Sequence, residues 1–359
     1  MSDSLLIKSL FRKYKVNFVG DFTQPLKALA DKHAFFIIDA VVWQLYKEKL
    51  KSVIPEERLL VIEANENNKS LDKCREIIGA LVDMQVRRNE TLVAMGGGVI
   101  QDITAFSASI IYRGIEWSFF PTTLLAQADS CIGSKTSINL GDKKNLIGNF
   151  YPPSDVFIDA MFLNSLTSDD IKSGIGEIMH YYLYAASPLF DEIIRDYEMI
   201  IRDRKLLMKH NMESLKIKKS VIEIDEFDRK ERNKFNYGHT FGHAIETITD
   251  YGIKHGQAVT VGMDIANYLS VKMGLMDQSL FETLHAKLGV NFPAYDFDQC
   301  DMEAYFGALA KDKKNTGNNL GCILTEGPGR LVRKQIPFDK NIKDEIRTYF
   351  RSRVYKSFL

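Results

Sequence analysis

The chain has 359 residues, of which 45% are hydrophobic and 26% are charged, and its 47 basic residues balance 47 acidic ones. This length exceeds the size at which a single core usually divides, so we expect two domains. The composition is that of an ordinary globular protein, and the charge balance argues against a general nucleic-acid binder while permitting a local cationic pocket.

Neither a membrane span nor an export signal is predicted. No run approaches the roughly 18 apolar residues that a membrane span needs, and the N-terminus carries an early acid without a long apolar core. Cys74, Cys131, Cys300 and Cys322 are scattered, which predicts neither a disulfide framework nor a thiolate zinc cluster. We expect a reduced, soluble, cytoplasmic protein with no nucleic-acid or membrane partner.

The first half of the chain alternates short apolar runs with helical patterns. The runs predict buried strands at residues 34–39, 58–63, 91–95 and 116–120, and the helical patterns cover residues 70–87 and 103–112. Strands that alternate with helices imply β-α-β units and a parallel sheet.

After Tyr151-Pro152-Pro153 the pattern becomes mostly helical. Helices are predicted at residues 169–186, 189–201, 206–224, 239–249, 256–273 and 278–288. A small hairpin is predicted from residues 321–325 and 331–335. The boundary is placed near residue 155, between an N-terminal α/β domain (1–155) and a mostly α-helical C-terminal domain (156–359).

Three of the seven histidines, His239, His243 and His255, lie in one short stretch. His239 and His243 are four residues apart, so a helix places both on one face. Imidazole is the commonest protein ligand for metals such as zinc, and Glu177 could add a carboxylate. Two histidines, one carboxylate and an open position describe a catalytic zinc site, although a lone helical glutamate is more often a solvated surface residue.

A glycine-rich turn, Gly96-Gly97-Gly98, follows a predicted strand and precedes Asp102 in a predicted helix. Glycines there would let backbone N–H groups approach a pyrophosphate at the positive end of the helix; the alternative is a tight strand–helix turn. Asp39 ends another strand, where it could bind ribose hydroxyls or serve as a turn residue.

Cationic and amide side chains cluster around Lys135 to Asn139 and Lys143 to Asn145, and others lie further along the chain. Most lysines are solvated when considered singly. As a set, these side chains could hold a phosphorylated, acidic small molecule. The others are Arg113, Lys218, Arg232, Asn236, Lys313 and Lys314.

These motifs, in this order, strongly resemble the 3-dehydroquinate synthase family, which belongs to the sugar-phosphate cyclases. The resemblance runs from about residue 39 to about residue 330. Its motifs lie at residues 112–114, 121–129, 144–148, 173–177, 236–243, 255–259 and 312–314.

The resemblance implies a fold, a site and an assembly. The expected fold is an N-terminal NAD-binding domain and a helical metal-binding domain in a homodimer, with the active site between the domains. Zinc or cobalt would be held by Glu177, His239 and His255. NAD would contact Asp39, Glu66, Lys69, Gly97, Gly98, Asp102, Thr122, Thr123, Leu125 and Lys144.

The remaining family residues are expected to bind a sugar-phosphate substrate. Its carboxylate would meet Lys218 and Arg232, and its hydroxyls would meet Asp129 and Asn145. Its phosphate would meet Lys135, Asn236, His243, Lys313 and, from the partner subunit, Arg113. The implied reaction is transient oxidation by NAD, phosphate elimination, reduction and intramolecular aldol closure of a phosphorylated seven-carbon keto acid, which makes the enzyme a carbon–oxygen lyase.

One position departs from the family pattern. His180 stands where the family has a substrate-binding lysine, three residues after the metal-binding glutamate. An imidazole there could accept a hydrogen bond, act as acid or base, crowd the metal, or be simply tolerated. Ser134 and the segment 150–153 also point to an altered substrate, whereas Arg232 and Asn236 suit a substrate with a carboxylate.

Three alternatives therefore stay open. The first is a cyclase of secondary metabolism that acts on sedoheptulose 7-phosphate, glucose 6-phosphate or an amino analogue. The second is a metal-dependent glycerol-type alcohol dehydrogenase, against which the cationic phosphate-binding set argues. The third is a catalytically silent homologue, which the presence of all three expected metal ligands disfavours.

Overall fold

The structure is a computed structural model that describes residues 4–141 and 143–351. These residues form two compact units. The first comprises the described residues up to Thr167 together with Lys218–Phe227. The second comprises Ser168–Ile217 and the described residues from Asp228 onward.

The first unit is built on a seven-stranded sheet. Nine strands lie in this part of the chain: β1 (Ser4–Lys8), β2 (Lys13–Val19), β3 (Phe35–Asp39), β4 (Leu59–Ile62), β5 (Thr91–Gly96), β6 (Glu116–Pro121), β7 (Ile138–Leu140), β8 (Lys143–Ile147) and β9 (Asp155–Asp159). The sheet order is β1-β2-β9-β6-β5-β3-β4, and every pairing is parallel except that of β1 with β2. Strands β7 and β8 form a separate antiparallel hairpin.

The central strands are those that the apolar runs predicted. Strands β3 and β5 are almost wholly buried, as expected for parallel strands covered on both faces. Strand β9 pairs with both β2 and β6, so the first unit extends to Thr167. The first unit ends about twelve residues after the predicted boundary at residue 155, and it also contains residues 218–227.

Four α-helices lie wholly within the described residues of the first unit. They are α1 (Thr23–Ala30), α2 (Ala40–Lys51), α3 (Leu71–Asp83) and α4 (Gly98–Ile110). Helix α3 begins after Ser70, whose hydroxyl accepts a hydrogen bond from the Lys73 N–H. Helix α4 begins five residues before the predicted range, directly at the glycine-rich turn, and it ends before Tyr112, which has a positive φ of 51°.

The second unit is mostly helical. Its elements are α5 (Ser168–Tyr184), α6 (Leu189–Arg195), α7 (Tyr197–Ile200), α8 (Arg204–Ile222), α9 (His239–Ile248), α10 (His255–Lys272), α11 (Gln278–Gly289), α12 (Met302–Ala310), the hairpin strands β10 (Asn319–Thr325) and β11 (Leu331–Pro337), and α13 (Lys340–Arg351). The predicted helix over 189–201 is two helices, because Asp196 has non-helical dihedral angles of −100° and 14°. The last residues of α8, from Lys218, fall in the first unit.

Helix α10 forms the centre of the second unit. Every residue from Gly256 to Ser270 is buried, and α5, α9, α11, α13 and the β10–β11 hairpin all pack around it. A helix buried on all sides needs small residues wherever a neighbour approaches its backbone. No helix in the described ranges is long and apolar enough to cross a membrane.

Candidate active site

Glycines set the crossing of α5 and α10. A Cβ on Gly256 would lie 1.8 Å from the Ser173 carbonyl oxygen, and one on Gly176 would lie 2.1 Å from the Gly256 carbonyl oxygen. The Ser173 hydroxyl also accepts a hydrogen bond of 3.0 Å from the Gly256 N–H. Because Gly176 precedes Glu177 and Gly256 follows His255, this close crossing brings the carboxylate and the imidazole together.

Glycines also set the contact between α9 and α10. Gly238 precedes α9 with a left-handed φ of 79°, and a Cβ on Gly242 would lie 2.9 Å from the Ala258 carbonyl oxygen. Each of these glycines directly precedes a histidine. The imidazole centroids of His239 and His243 consequently lie 5.3 Å and 5.6 Å from that of His255.

Glu177, His239 and His255 have the geometry of a metal site. Oε1 of Glu177 lies 3.2 Å from Nε2 of His255 and 3.6 Å from Nε2 of His239. Ligand atoms at about 2.0–2.1 Å from a tetrahedral zinc ion are about 3.4 Å apart, which these distances bracket. Glu177 is only 1% exposed, and its Oε1 has no hydrogen-bond partner among the described residues. A divalent ion fits this donor set.

Two acceptors orient the imidazoles of this site. Nδ1 of His255 lies 3.0 Å from Oε2 of Glu246, and Nδ1 of His239 lies 3.2 Å from the Tyr237 carbonyl oxygen. An acceptor at Nδ1 keeps the proton there in the neutral tautomer, which leaves the Nε2 lone pair free to bind a metal.

The two imidazoles differ in their electrostatic surroundings. Burial lowers the pKa of His239 to about 4, and the carboxylate of Glu177 only partly opposes this effect. Burial would also lower the pKa of His255, but Glu246 and Glu177 outweigh it and raise that pKa well above its usual value. The difference arises because His255 has a second carboxylate at Nδ1, whereas His239 has a carbonyl oxygen.

His243 and His180 both lie beside His239 of this cluster. His243 is exposed, and its ligand nitrogen lies within 4.8 Å of those of His239 and His255, so three histidines form a second possible ligand set. His180 is completely buried, and its Nδ1 lies 3.9 Å from Oε2 of Glu177, beyond hydrogen-bond distance. Its ring packs against that of His239, with the centroids 5.3 Å apart.

The other predicted substrate residues of the second unit lie on two segments. Arg232 and Asn236 belong to the 3₁₀ segment Glu231–Asn236, which leads into α9. Arg232 is only 7% exposed, and the Asn236 amide donates to the Asn233 carbonyl oxygen at 3.0 Å. Lys313 is exposed in the loop after α12. A guanidinium that is nearly buried suits an anionic partner better than solvent.

In the first unit, the glycine-rich turn forms an open helix N-terminus. Gly97 is the N-cap of α4, and no side chain in the described part of the chain caps it. No described atom lies within 4 Å of a Cβ built on Gly98, whereas one on Gly97 would lie 3.3 Å from Thr123. The Thr122 N–H donates to the Gly96 carbonyl oxygen at 2.9 Å. This turn fits a pyrophosphate, because its N–H groups are accessible and the helix dipole favours an anion.

Asp39 and Leu125 are two further residues of the first unit that are predicted to contact NAD. Oδ1 of Asp39 accepts a hydrogen bond of 2.9 Å from the Val41 N–H, so Asp39 caps α2 at the carboxyl end of β3. Burial raises the pKa of Asp39. Leu125 is half-buried and immediately precedes the π-helical turn Ala126–Ser130. The turn-residue interpretation of Asp39 and the ribose-binding one are therefore compatible.

A polar cluster joins four predicted NAD residues to one predicted substrate residue. Nζ of Lys69 lies 2.7 Å from Oδ2 of Asp102 and donates to Oδ1 of Asn145, also at 2.7 Å. Glu66 lies beside this group, with its Oε1 3.7 Å from Nζ of Lys144. Burial raises the pKa of Asp102, although Lys69 opposes the shift.

Asp129 and Lys218 form a nearly buried ion pair. Nζ of Lys218 lies 2.8 Å from Oδ1 of Asp129 and donates to its carbonyl oxygen at 2.6 Å. The side chain of Lys218 is 7% exposed. Arg113 and Lys135, in contrast, are exposed, and Arg113 has a positive φ of 65°.

Two residues at these sites were not assigned a role from the sequence. Glu246 lies seven residues after His239, two helical turns along the same face, and that spacing was a signal that could have identified it. Asn139 carries hydrogen bonds within the polar cluster, but it lies in a short irregular hairpin for which no sequence periodicity exists.

The sequence matches two parts of one known family. Residues 59–173 match the 3-dehydroquinate synthase N-terminal family, and residues 174–315 match the 3-dehydroquinate synthase C-terminal family. The chain belongs to the 3-dehydroquinate synthase family. The 3-dehydroquinate synthase of Dictyoglomus thermophilum is 37% identical over 337 residues, which cover 92% of this chain and 93% of that protein.

Two cyclases whose solved structures contain bound ligands have the same fold as this chain. A 2-deoxy-scyllo-inosose synthase complexed with carbaglucose-6-phosphate, NAD+ and Co2+ has a TM-score of 0.85 at 26% identity, covering 96% of this chain and 99% of that one. A 2-epi-5-epi-valiolone synthase from Streptomyces hygroscopicus with NAD+ and Zn2+ bound has a TM-score of 0.82 at 25% identity, covering 95% and 98%. The predicted fold class is confirmed.

Proposed function

We propose that this chain is a carbon–oxygen lyase that cyclises a phosphorylated seven-carbon keto acid with release of phosphate, as a 3-dehydroquinate synthase does. The observation that carries the proposal is the cluster of Glu177, His239 and His255, whose ligand atoms have the spacing of a metal site. Membership of the synthase family and the NAD+ and metal in related cyclases support it.

The proposed cofactor residues hold two groups. Glu177, His239 and His255 would hold the divalent ion, zinc or cobalt, and Glu246 would keep His255 in the required tautomer. Gly97 and Gly98 would bind the pyrophosphate of NAD through backbone N–H groups. When bound, NAD would supply a hydride acceptor that later returns the hydride, and the metal would polarise a substrate hydroxyl whose own carbon loses that hydride.

The proposed substrate residues divide by charge. Lys218 and Arg232 are nearly buried cations that would bind the carboxylate, and Asp129 would accept a hydrogen bond from a hydroxyl. Asn145, fixed by Lys69, would meet a second hydroxyl. The phosphate would be bound by Lys135, Asn236, His243, Lys313 and Arg113. A phosphate held by cations is a better leaving group, because its developing charge is neutralised.

A cyclase that acts on a sugar phosphate without a carboxylate is the second candidate. The observation in its favour is His180, a completely buried imidazole at the position of the family lysine. A lysine there would place a positive charge near the substrate, whereas the imidazole packs against the His239 ring. Against this candidate, Arg232 and Asn236 are the residues that a substrate with a carboxylate requires.

A substrate panel tests the proposal. The protein is incubated with NAD, with zinc or cobalt, and separately with the seven-carbon keto acid phosphate, sedoheptulose 7-phosphate, glucose 6-phosphate and glycerol. Phosphate release without lasting NADH supports a cyclase, and the responding substrate identifies which. Accumulation of NADH without phosphate release would show an alcohol dehydrogenase instead.

The role of His180 has its own test within this panel. A His180→Lys variant that gains activity on the seven-carbon acid, relative to a His180→Gln control, would show that this position sets specificity.

The family resemblance also implies a homodimer in which Arg113 reaches the partner's site. Sedimentation equilibrium tests that assembly, and a monomer at enzymatically active concentrations would contradict it.

A further inference from the structure

Asn139 uses its whole side-chain amide within the polar cluster of the first unit. Its Nδ2 donates to Oε1 of Glu66 at 2.8 Å and to the Glu66 carbonyl oxygen at 3.3 Å. Its Oδ1 accepts a hydrogen bond of 2.9 Å from the Asn145 N–H. The residue is 9% exposed, and its own N–H donates to the Lys69 carbonyl oxygen at 2.8 Å. The side-chain amide therefore connects Glu66 with Asn145, and the backbone N–H ties Asn139 to Lys69.

The backbone at Asn145 depends on this connection. Asn145 has a left-handed φ of 56°, a conformation that is uncommon for non-glycine residues although asparagine adopts it more readily than most, and its surroundings help to hold it. Two hydrogen bonds do so. The Asn145 N–H donates to Oδ1 of Asn139, and the Lys69 ammonium donates to Oδ1 of Asn145. The orientation of the Asn145 side chain is thus fixed through Asn139 and Lys69.

We propose that Asn139 is a positioning residue that couples the NAD-binding Glu66 to the substrate-binding Asn145. The inference rests on the proposed function, because that function gives Glu66 and Asn145 their ligands. Through the donor side of its amide, Asn139 fixes the Glu66 carboxylate for the cofactor. Through the acceptor side, it fixes Asn145 for a substrate hydroxyl. Asn139 itself touches neither ligand.

Two substitutions separate the two sides of the amide. Asn139→Asp keeps the acceptor for the Asn145 N–H but replaces the donor with an oxygen that faces the Glu66 carboxylate. Asn139→Ala removes both sides. Asn17→Asp is the matched control, because the Asn17 amide on β2 also faces a carboxylate, with its Nδ2 3.4 Å from Oδ1 of Asp155, and β2 carries none of the proposed binding residues.

The measurements are the Kd of NAD by titration calorimetry without substrate, and the KM of the seven-carbon keto acid phosphate at saturating NAD. Asn139→Asp should raise the Kd of NAD about tenfold, since a hydrogen bond to a charged group is lost, and leave the KM within about twofold of wild type. Asn139→Ala should raise both constants. Asn17→Asp should change neither.

The outcomes that overturn the inference differ from those that overturn the function. Wild-type affinity for NAD in both Asn139 variants, with NAD binding intact in the wild type, would refute the coupling alone. Equal rises of both constants in both variants, together with an equally lowered Tm, would show a merely structural role and also refute it. A wild-type protein that binds no NAD would refute the proposed function, and the inference with it.

Discussion

Replacing Gly256 by alanine should destroy the metal site without unfolding the chain. A Cβ at this position would lie 1.8 Å from the Ser173 carbonyl oxygen, whereas real Cβ atoms essentially never approach closer than 3.0 Å. Helices α5 and α10 must therefore separate by about 1.2 Å at this crossing. The neighbouring residues on the two helices are Glu177 and His255, whose ligand atoms are 3.2 Å apart.

The size of the effect follows from that displacement. Metal–ligand distances tolerate about 0.2 Å, so a shift of about 1.2 Å should lower the affinity for zinc by about 100-fold or more. The same overpacking should lower the free energy of unfolding by about 1–3 kcal/mol. Competition with a chromophoric chelator measures the affinity, and urea denaturation measures the stability.

Gly307→Ala is the matched control for this substitution. Gly307 lies in α12 of the same unit, and no described atom is within 4 Å of a Cβ built there. Alanine should leave zinc affinity unchanged and raise the free energy of unfolding by up to about 1 kcal/mol, because helix propensity improves. A folded Gly256→Ala protein with wild-type zinc affinity would refute the idea that this crossing positions the ligands.

Three further predictions concern other contacts. Glu246→Gln should weaken zinc binding by about 10–100-fold, since His255 loses its carboxylate partner; unchanged affinity in equilibrium dialysis would contradict this. Asp129→Asn should lower the free energy of unfolding by about 2 kcal/mol in urea denaturation, because Lys218 loses its counter-ion. The double variant Asp129→Asn/Lys218→Met should show a smaller decrease in the free energy of unfolding, because it leaves no unpaired charge. Burial lowers the pKa of His210, so the unfolded state binds the extra proton and stability should fall as the pH drops below about 6.5, by up to about 1.4 kcal/mol per pH unit. His210→Gln should flatten that part of the stability–pH curve, and an identical curve would refute the assignment.

The sequence predicts the strands that are mainly apolar, including the edge strand β4, better than β2 and the interior strand β9. Strands β3 to β6 are continuous apolar runs, whereas β2 alternates lysines with apolar residues and β9 follows a pair of prolines. Their positions in the sheet depend on long-range pairing that no local pattern encodes. Strand β9, which no apolar run predicted, also accounts for the distance between the predicted boundary and the end of the first unit.

The candidate site is predictable in its residue types but not in its geometry. Glutamate and histidine are residue types that commonly bind metals, and the family resemblance selects Glu177, His239 and His255 as the proposed ligands. The close helix crossings that bring them together rest on Gly176, Gly256 and Gly242, whose role appears only when neighbouring backbones are in place. The hydrogen bonds of Asn139 likewise depend on Glu66, which is distant in sequence, and on an irregular hairpin.

Simultaneous measurement of phosphate and nicotinamide absorbance during turnover tests the central claim most directly. With a catalytic amount of NAD and an excess of the seven-carbon keto acid phosphate, phosphate should be released in large excess over NAD, while NADH never exceeds the amount of enzyme. This result is predicted because each hydride taken from the substrate is returned to it. Phosphate release that stops after one equivalent per NAD, with NADH accumulating to match, would contradict the account.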